Sequence, residues 1–352
     1  MTEMTREDFI MSLKKTIVAT LIASGMLAAL AGPIPAGAEA VQEKRQEDRW
    51  TVQVDPKFTE KLNKAVKLFA GKDVELQKAG KLGIYSPYVA EVRSVDGKYF
   101  AQYDIDTGTI WTVGGQTATL EQISKQDQEE VLKALKGLYA KKDYVFDNEV
   151  KVTHQYTDEK AEVRDEITYT LRGKDFSASL NKNWVIGGDS LSYITIDFDK
   201  NELDPKLFKA ATDAAKTAFN HKFEMKQGQL EAFFSPHVSK KGQKPELKWV
   251  LRDDKVRISA DPKSGKINSV INELGIKVRD NKGISEKEAK EAVAPLAKKL
   301  FNIDLNGYNV KWDNLEKNYY FTKKSGTSVR AALDSNKKVV YIKAGSAAAP
   351  GA

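Results

Sequence analysis

The side chains of this 352-residue chain best suited to chemistry are three histidines, His154, His221 and His237, set among many carboxylates. Zinc hydrolysis needs two histidines one helical turn apart with a general-base glutamate, and neither HExxH nor H-x-H spacing occurs. The histidines instead read as solvated or packed residues on a strand, a helix and a loop. A serine hydrolase needs a nucleophile with a base and an oxyanion hole, mounted on a strand–turn–helix elbow. Gly187-Gly-Asp-Ser190 lacks the second glycine of G-x-S-x-G and that context, so it reads as a turn between strands. Paired carboxylates serve glycosidases. Charged residues make up 30% of this chain, however, so such pairs arise by chance and none stands out.

Asp197-Phe-Asp199-Lys-Asn201-Glu-Leu-Asp204 opens like a calcium loop. Its sixth position is Glu202, where glycine is needed, and its twelfth is Phe208, where a bidentate glutamate is needed. The segment reads as a strand end, a polar turn and a helix N-cap at Asp204. Asp104, Asp106 and Gly108 are likewise better explained by a hairpin turn than by calcium. Trp50, Trp111, Trp184, Trp249 and Trp312 suggest carbohydrate platforms, but four of them sit in or beside predicted strands, and packing accounts for them. No catalytic, cofactor-binding or metal-ligating residue is expected, and the chain is not expected to be an enzyme.

Cysteine is absent, which removes disulfides, thiolate metal sites and cysteine nucleophiles. Residues 1–40 read as a secretory signal peptide. Lys14 and Lys15 supply the charge, and Thr16 to Leu30 (TIVATLIASGMLAAL) is an uncharged apolar stretch. Gly32, Pro33 and Pro35 break the helix, and Ala36-Gly37-Ala38 and Ala38-Glu39-Ala40 are both A-x-A exits. Cleavage is expected near Ala38 or Ala40. The acidic opening MTEMTREDFI fits no n-region, so Met11 is the better initiator. The apolar stretch is shorter than the roughly 20 residues a spanning helix needs. The expected location is secreted or cell-wall associated, and an exported chain without cysteine suits a bacterium that exports straight to its wall or medium. The whole chain carries a net charge of +7. Removing residues 1–40, with three basic and four acidic side chains, leaves +8. Both signs are interspersed, which fits a solvated surface and allows attraction to an anionic wall polymer. No basic stripe interleaved with aromatics marks a nucleic-acid partner.

These residues are carried by a repeating pattern. Tyr99 to Val113 and Val256 to Val270 each read as an alternating strand, then D-x-x-[TS]-G, then a second alternating strand. Asp104 and Asp261 can hold the turn backbone, and Gly108 and Gly265 supply its positive φ. Phe176 to Ile186 and Val329 to Val339 look like shorter variants, with Asn183 and Asn336 replacing glycine. The turns recur every 70 to 80 residues or so. A helix precedes each. The first runs from Pro56 to Ala70 on the stripe Phe58, Leu62, Val66 and Phe69. The second is marked by Leu120 to Leu138 with a capping box at Thr119 and Gln122. The third has Asp204 as N-cap and Pro205 at its first position. The fourth has a Ser285/Glu288 capping box and an internal Pro295 that could kink it.

The final hairpin motif, x-V-x-[LI]-D-x-x-[TS]-G-x-[IV], resembles PepSY domains and the related YcdB/YcdC repeats of Gram-positive bacteria. Lys248 to Val270 carries the likeness most fully. A helix before each hairpin and the alternating strands predict an α+β fold of tandem PepSY-like units, each a helix packed on a small antiparallel sheet; the small core of one unit implies neighbours packing together or continuing each other's sheets. The expected organisation is signal peptide 1–40, linker 41–55, units at 56–116, 117–200 (atypical), 201–278 and 279–343 (atypical), and a disordered tail at 344–352. The resemblance implies a non-enzymatic protein-interaction protein, and a regulator or inhibitor of extracellular proteases in its more specific version. The expected partner is a protein outside the membrane, such as a protease. The alternative is a module binding an anionic cell-wall polymer or ligand through the net positive charge.

Overall fold

The computed structural model describes residues 51–83, 86–184, 188–234, 244–314 and 316–345. The expected signal peptide and residues 41–50 of the expected linker lie outside these, as do His237, Trp50, Gly187 and residues 346–352 of the expected tail. Thr51–Gln53 of the expected linker form strand β1.

Helix α1 spans Pro56–Ala70. It starts where Asp55 accepts a hydrogen bond from the Lys57 amide and proline takes the first turn, and it stops at Gly71 in the left-handed conformation. Strands β2 (Ala79–Gly83), β3 (Ser86–Arg93), β4 (Tyr99–Asp104) and β5 (Ile110–Thr119) follow. Helix α2 spans Lys125–Leu138 and is capped by Ser124. The Thr119/Gln122 capping box instead closes the 3-10 turn Leu120–Gln122 just before it. Then come β6 (Glu149–Thr157), β7 (Glu162–Gly173), β8 (Phe176–Lys182) and β9 (Ser190–Phe198). Helix α3 (Pro205–Phe219) takes Asp204 as N-cap and Pro205 at its first position, as expected. It leads into β10 (Gln227–Phe233), β11 (Glu246–Arg252), β12 (Val256–Ala260) and β13 (Ile267–Asn272). Helix α4 (Glu286–Phe301) has the Ser285/Glu288 capping box and accommodates Pro295. Strands β14 (Asn309–Asp313), β15 (Asn318–Thr322), β16 (Val329–Leu333) and β17 (Val339–Ala344) close the chain. Among the described residues, no helix is long and apolar enough to cross a membrane.

The expectation of tandem units, each a helix on its own small sheet, is overturned. Among the described residues, all seventeen strands belong to one antiparallel sheet. The junctions are explicit: β5 pairs with β6 over Thr112–Thr119, and β13 pairs with β17 through Ser269↔Lys343 and its neighbours. The physical reason is edge chemistry. A four-stranded sheet under one helix leaves two rows of unpaired backbone groups, and edge-to-edge pairing satisfies them.

Two compact units divide the chain, one taking described residues up to Tyr193 and the other taking Ile194–Phe234 and the residues from Lys244 onward. In the first, β1 to β8 form a meander in which each strand pairs with the next. Helix α1 lies against β4, β5 and β7. Its Phe58, Leu62, Ala65 and Val66 pack on Ala90, Val92, Ala101, Tyr103, Ile110 and Val113. Each buried Leu- or Val-sized side chain there contributes roughly 1.5–3 kcal/mol. In the second unit the order is β9, β10, β11, β12, β13, β17, β16, β15, β14. Helix α3 lies on β12 and β13, and α4 on β13, β14, β16 and β17.

The hairpin turns follow their side chains. Asp104 Oδ1 accepts from the amides of Asp106 and Thr107, and Gly108 has φ +68°. Asp261 Oδ1 accepts from Lys263 and Ser264, and Gly265 has φ +67°. Asn183 takes a left-handed φ of 58° as expected, but in the last hairpin that conformation falls on Lys337 (φ 63°) and not on Asn336. Asp334 determines the shift: its Oδ1 accepts from the amides of both Asn336 and Lys338, placing the tight position between them.

Candidate functional site

Side chains alternate across a strand, so one residue of offset separates the two faces of the sheet. On the helix side of the second unit, Ile258, Val270, Ile342, Ala331 and Tyr319 are successive cross-strand partners and all fully buried. One residue away, on the opposite face, the row reads Ser259, Ser269, Lys343, Arg330, Tyr320. The first unit repeats the contrast. Val92, Ala101 and Val113 face α1, whereas Glu91, Gln102, Thr112 and Gln155 form the row behind them. A second row there reads Gln116, Lys151, Thr170, Ser179. Each unit thus has an apolar face under its helices and a polar face opposite.

The polar face is internally bonded over much of its area. Thr112 Oγ1 donates to Gln102 Oε1 (3.0 Å), whose amide donates to Glu91 (3.3 Å), and Arg93 pairs with Glu91 at 2.5 Å. Thr168 and Ser192 both donate to Asn181 Oδ1. In the second unit, Glu231 accepts from Lys248 (2.8 Å) and from the buried Arg257 (3.3 Å). Burial lowers Arg257 to about 10, against the attraction of Glu273. Glu316 takes hydrogen bonds from Tyr320 (2.6 Å) and Arg330. Burial would weaken the Arg330 charge, but Tyr341, Glu316 and Tyr320 hold it well above its ordinary range. Lys277 donates to the Glu316 carbonyl at 2.7 Å, and burial lowers it to about 8.

Two lysines stand apart from this pairing. The Lys151 ammonium lies 4.0 Å from the centre of the Phe100 ring and, among the described residues, in no ion pair. Burial first, then Arg93 and Arg172, lower it to about 8, with Glu91 opposing. Lys343 is lowered by burial, Arg330 and Lys248, with Glu246 and Glu316 opposing. Among the described residues it has no hydrogen-bond or ion-pair partner.

The residues singled out earlier are dispersed. His154 sits on β6, its Nδ1 2.8 Å from the Arg164 carbonyl and its ring beside Phe69. His221 follows α3, and its Nε2 lies 2.7 Å from Asp253 Oδ2. Asp253 also accepts from the amides of Glu224, Lys255 and Val256, so it ties the end of α3 to the β11–β12 turn. That His–Asp pair is 32 positions apart in the chain and had no local sequence signal. Asp197 accepts from Gln227 and Gln229 on β10, Asp199 leads a 3-10 turn with Glu202, and Asp204 caps α3. These three carboxylates are placed in three separate structural roles. Among the described residues, no group of three His, Asp or Glu is placed to hold a metal. Trp111 packs on Tyr88, Trp249 on Phe198 and Trp312 on Tyr319, while the Trp184 indole donates to the Ile167 carbonyl.

No family model, no curated protein and no solved structure matches this chain. The likeness to PepSY domains therefore rests on the sequence pattern of helix, strands and closing hairpin alone.

Proposed function

We propose that this chain is an exported, non-enzymatic binding protein whose ligand surface is the polar face of its sheet. The observation that carries the reading is the pair of lysines, Lys151 and Lys343, held half-buried beside other cations and in no ion pair among the described residues. A lowered, unpaired lysine costs stability in the unliganded protein, and such costs concentrate where a ligand supplies the missing charge. With the excess of basic residues, this favours an anionic ligand, and the wall polymers of a Gram-positive envelope are of that class. Cosedimentation of the purified chain with Gram-positive cell wall tests it. Binding should weaken steeply between low salt and ~0.5 M salt, where screening is strong. Absence of binding at low salt would refute it.

A second reading is a protein partner, an extracellular protease included. It is favoured by β14, which pairs with β15 alone among the described residues and has exposed Asn309 and Lys311. A partner could add a strand at that edge. Slowed hydrolysis by an extracellular metalloprotease on adding the chain is the expected outcome of this reading.

A further inference from the structure

The row Ser259, Ser269, Lys343, Arg330, Tyr320 crosses β12, β13, β17, β16 and β15 without a break. Its centre breaks a rule of sheet construction. Lys343 and Arg330 are direct cross-strand partners, and like charges so placed repel. Glu316 compensates Arg330, which also donates to Tyr320 Oη at 3.1 Å. Among the described residues no group pairs directly with Lys343, and Glu246 and Glu316 only partly offset its neighbouring cations. On its other side lie Ser269 and Ser259, 5% and 8% exposed. Neither hydroxyl has a protein hydrogen-bond partner among the described residues. An ammonium and two hydroxyls, all lacking acceptors, therefore stand side by side next to a guanidinium.

The first unit carries the same sequence of groups. Lys151 is cross-strand to Thr170, and Thr170 to Ser179, with Arg93 and Arg172 as the neighbouring cations. The arrangement asks for one anion with several acceptor oxygens. A carboxylate offers two oxygens in a plane, which suits a guanidinium fork better than an ammonium with two hydroxyls. A tetrahedral phosphate offers more oxygens, enough to accept from an ammonium and two hydroxyls together.

We propose that the Lys343 row binds a phosphate-class oxyanion through Lys343, Ser269 and Ser259, with Arg330 adding charge. This rests on the polar face being the ligand surface. The phosphate is either free or a phosphodiester of an anionic polymer, and calorimetry at low ionic strength separates the two. The purified chain is titrated with inorganic phosphate and, separately, with short poly(glycerol phosphate). Binding of both, weakened at least tenfold in Lys343→Gln and retained in Lys343→Arg, supports a site for phosphate as such. Binding of the polymer alone with the same variant pattern supports the phosphodiester source. Ser259→Ala with Ser269→Ala should weaken binding further. Lys343→Gln removes a like-charge repulsion, so its thermal unfolding should occur no lower than that of the parent. Equal binding by the parent and Lys343→Gln overturns the site, and so does absence of binding to both probes. If the chain still sediments with cell wall and Lys151→Gln/Lys343→Gln abolishes this, the polar face survives as ligand surface and only its phosphate specificity fails.

Discussion

Raising the pH from 7 to 9.5 should stabilise this fold, because Lys151 and Lys277 resist protonation in the folded state. Each is lowered to about 8, chiefly by burial. In the unfolded chain a lysine titrates near 10.4. Between those values the unfolded state binds more protons, so stability rises with pH. Integrated from pH 7 to 9.5, one such lysine contributes about 2 kcal/mol, reduced to about 1 kcal/mol by partial solvent screening. Tyr144 and Tyr319, pushed up to about 12, act in the opposite sense only above pH 10 or so. Urea unfolding of the parent and of Lys151→Gln at both pH values is the assay. The variant should be more stable than the parent at pH 7 and should gain about half as much on going to pH 9.5. An identical pH response in both proteins, or none in the parent, would refute the assignment of Lys151 as a buried, uncompensated cation.

Gly108→Ala should cost well over 1 kcal/mol, since it combines a φ of +68° with a Cβ built 2.3 Å from the Phe58 ring; Gly265→Ala, at φ +67° with open space around it, should cost only about 1 kcal/mol, and denaturant titration compares them. Ser285→Ala removes the N-cap of α4 and should lower stability by about 1 kcal/mol in the same assay. Lys337→Gly relieves a left-handed φ of 63° but also removes the half-exposed ion pair of Lys337 with Glu288 in the α4 capping box, so its net gain in stability should stay below about 1 kcal/mol. N-terminal sequencing of the protein recovered from an expressing bacterial culture should begin at Glu39 or Val41; a retained apolar stretch would contradict export by cleavage.

How much of this was legible in the sequence depended on the range of the interaction. The starts of α3 and α4 were legible because the cap is one to three residues from the amide it satisfies, as at Asp204 and Ser285. The hairpins around Gly108 and Gly265 were legible for the same reason. Sheet continuity was legible only as one of two ways to cover small cores, because the ladder Ser269↔Lys343 joins residues far apart in the chain and no local pattern specifies it. The polar rows were half legible. Val256-Arg-Ile-Ser-Ala alternates plainly, so Arg257 and Ser259 had to share a face. That Ser259, Ser269 and Lys343 would line up depends on register, which the alternation of a single strand leaves open. The His221–Asp253 pair was hidden likewise, since it links a helix end to a distant turn. The slip from Asn336 to Lys337 had a local cause in the Asp334 side chain, and residue preference alone pointed to the asparagine.

The central claim, that the polar face of the sheet is the ligand surface, is tested most directly by cosedimentation with Gram-positive cell wall at low salt. The parent chain and the double variant Lys151→Gln/Lys343→Gln would be compared after circular dichroism shows both folded. The account predicts that the parent sediments with the wall and that the double variant remains largely in solution. Equal sedimentation of the two would contradict it.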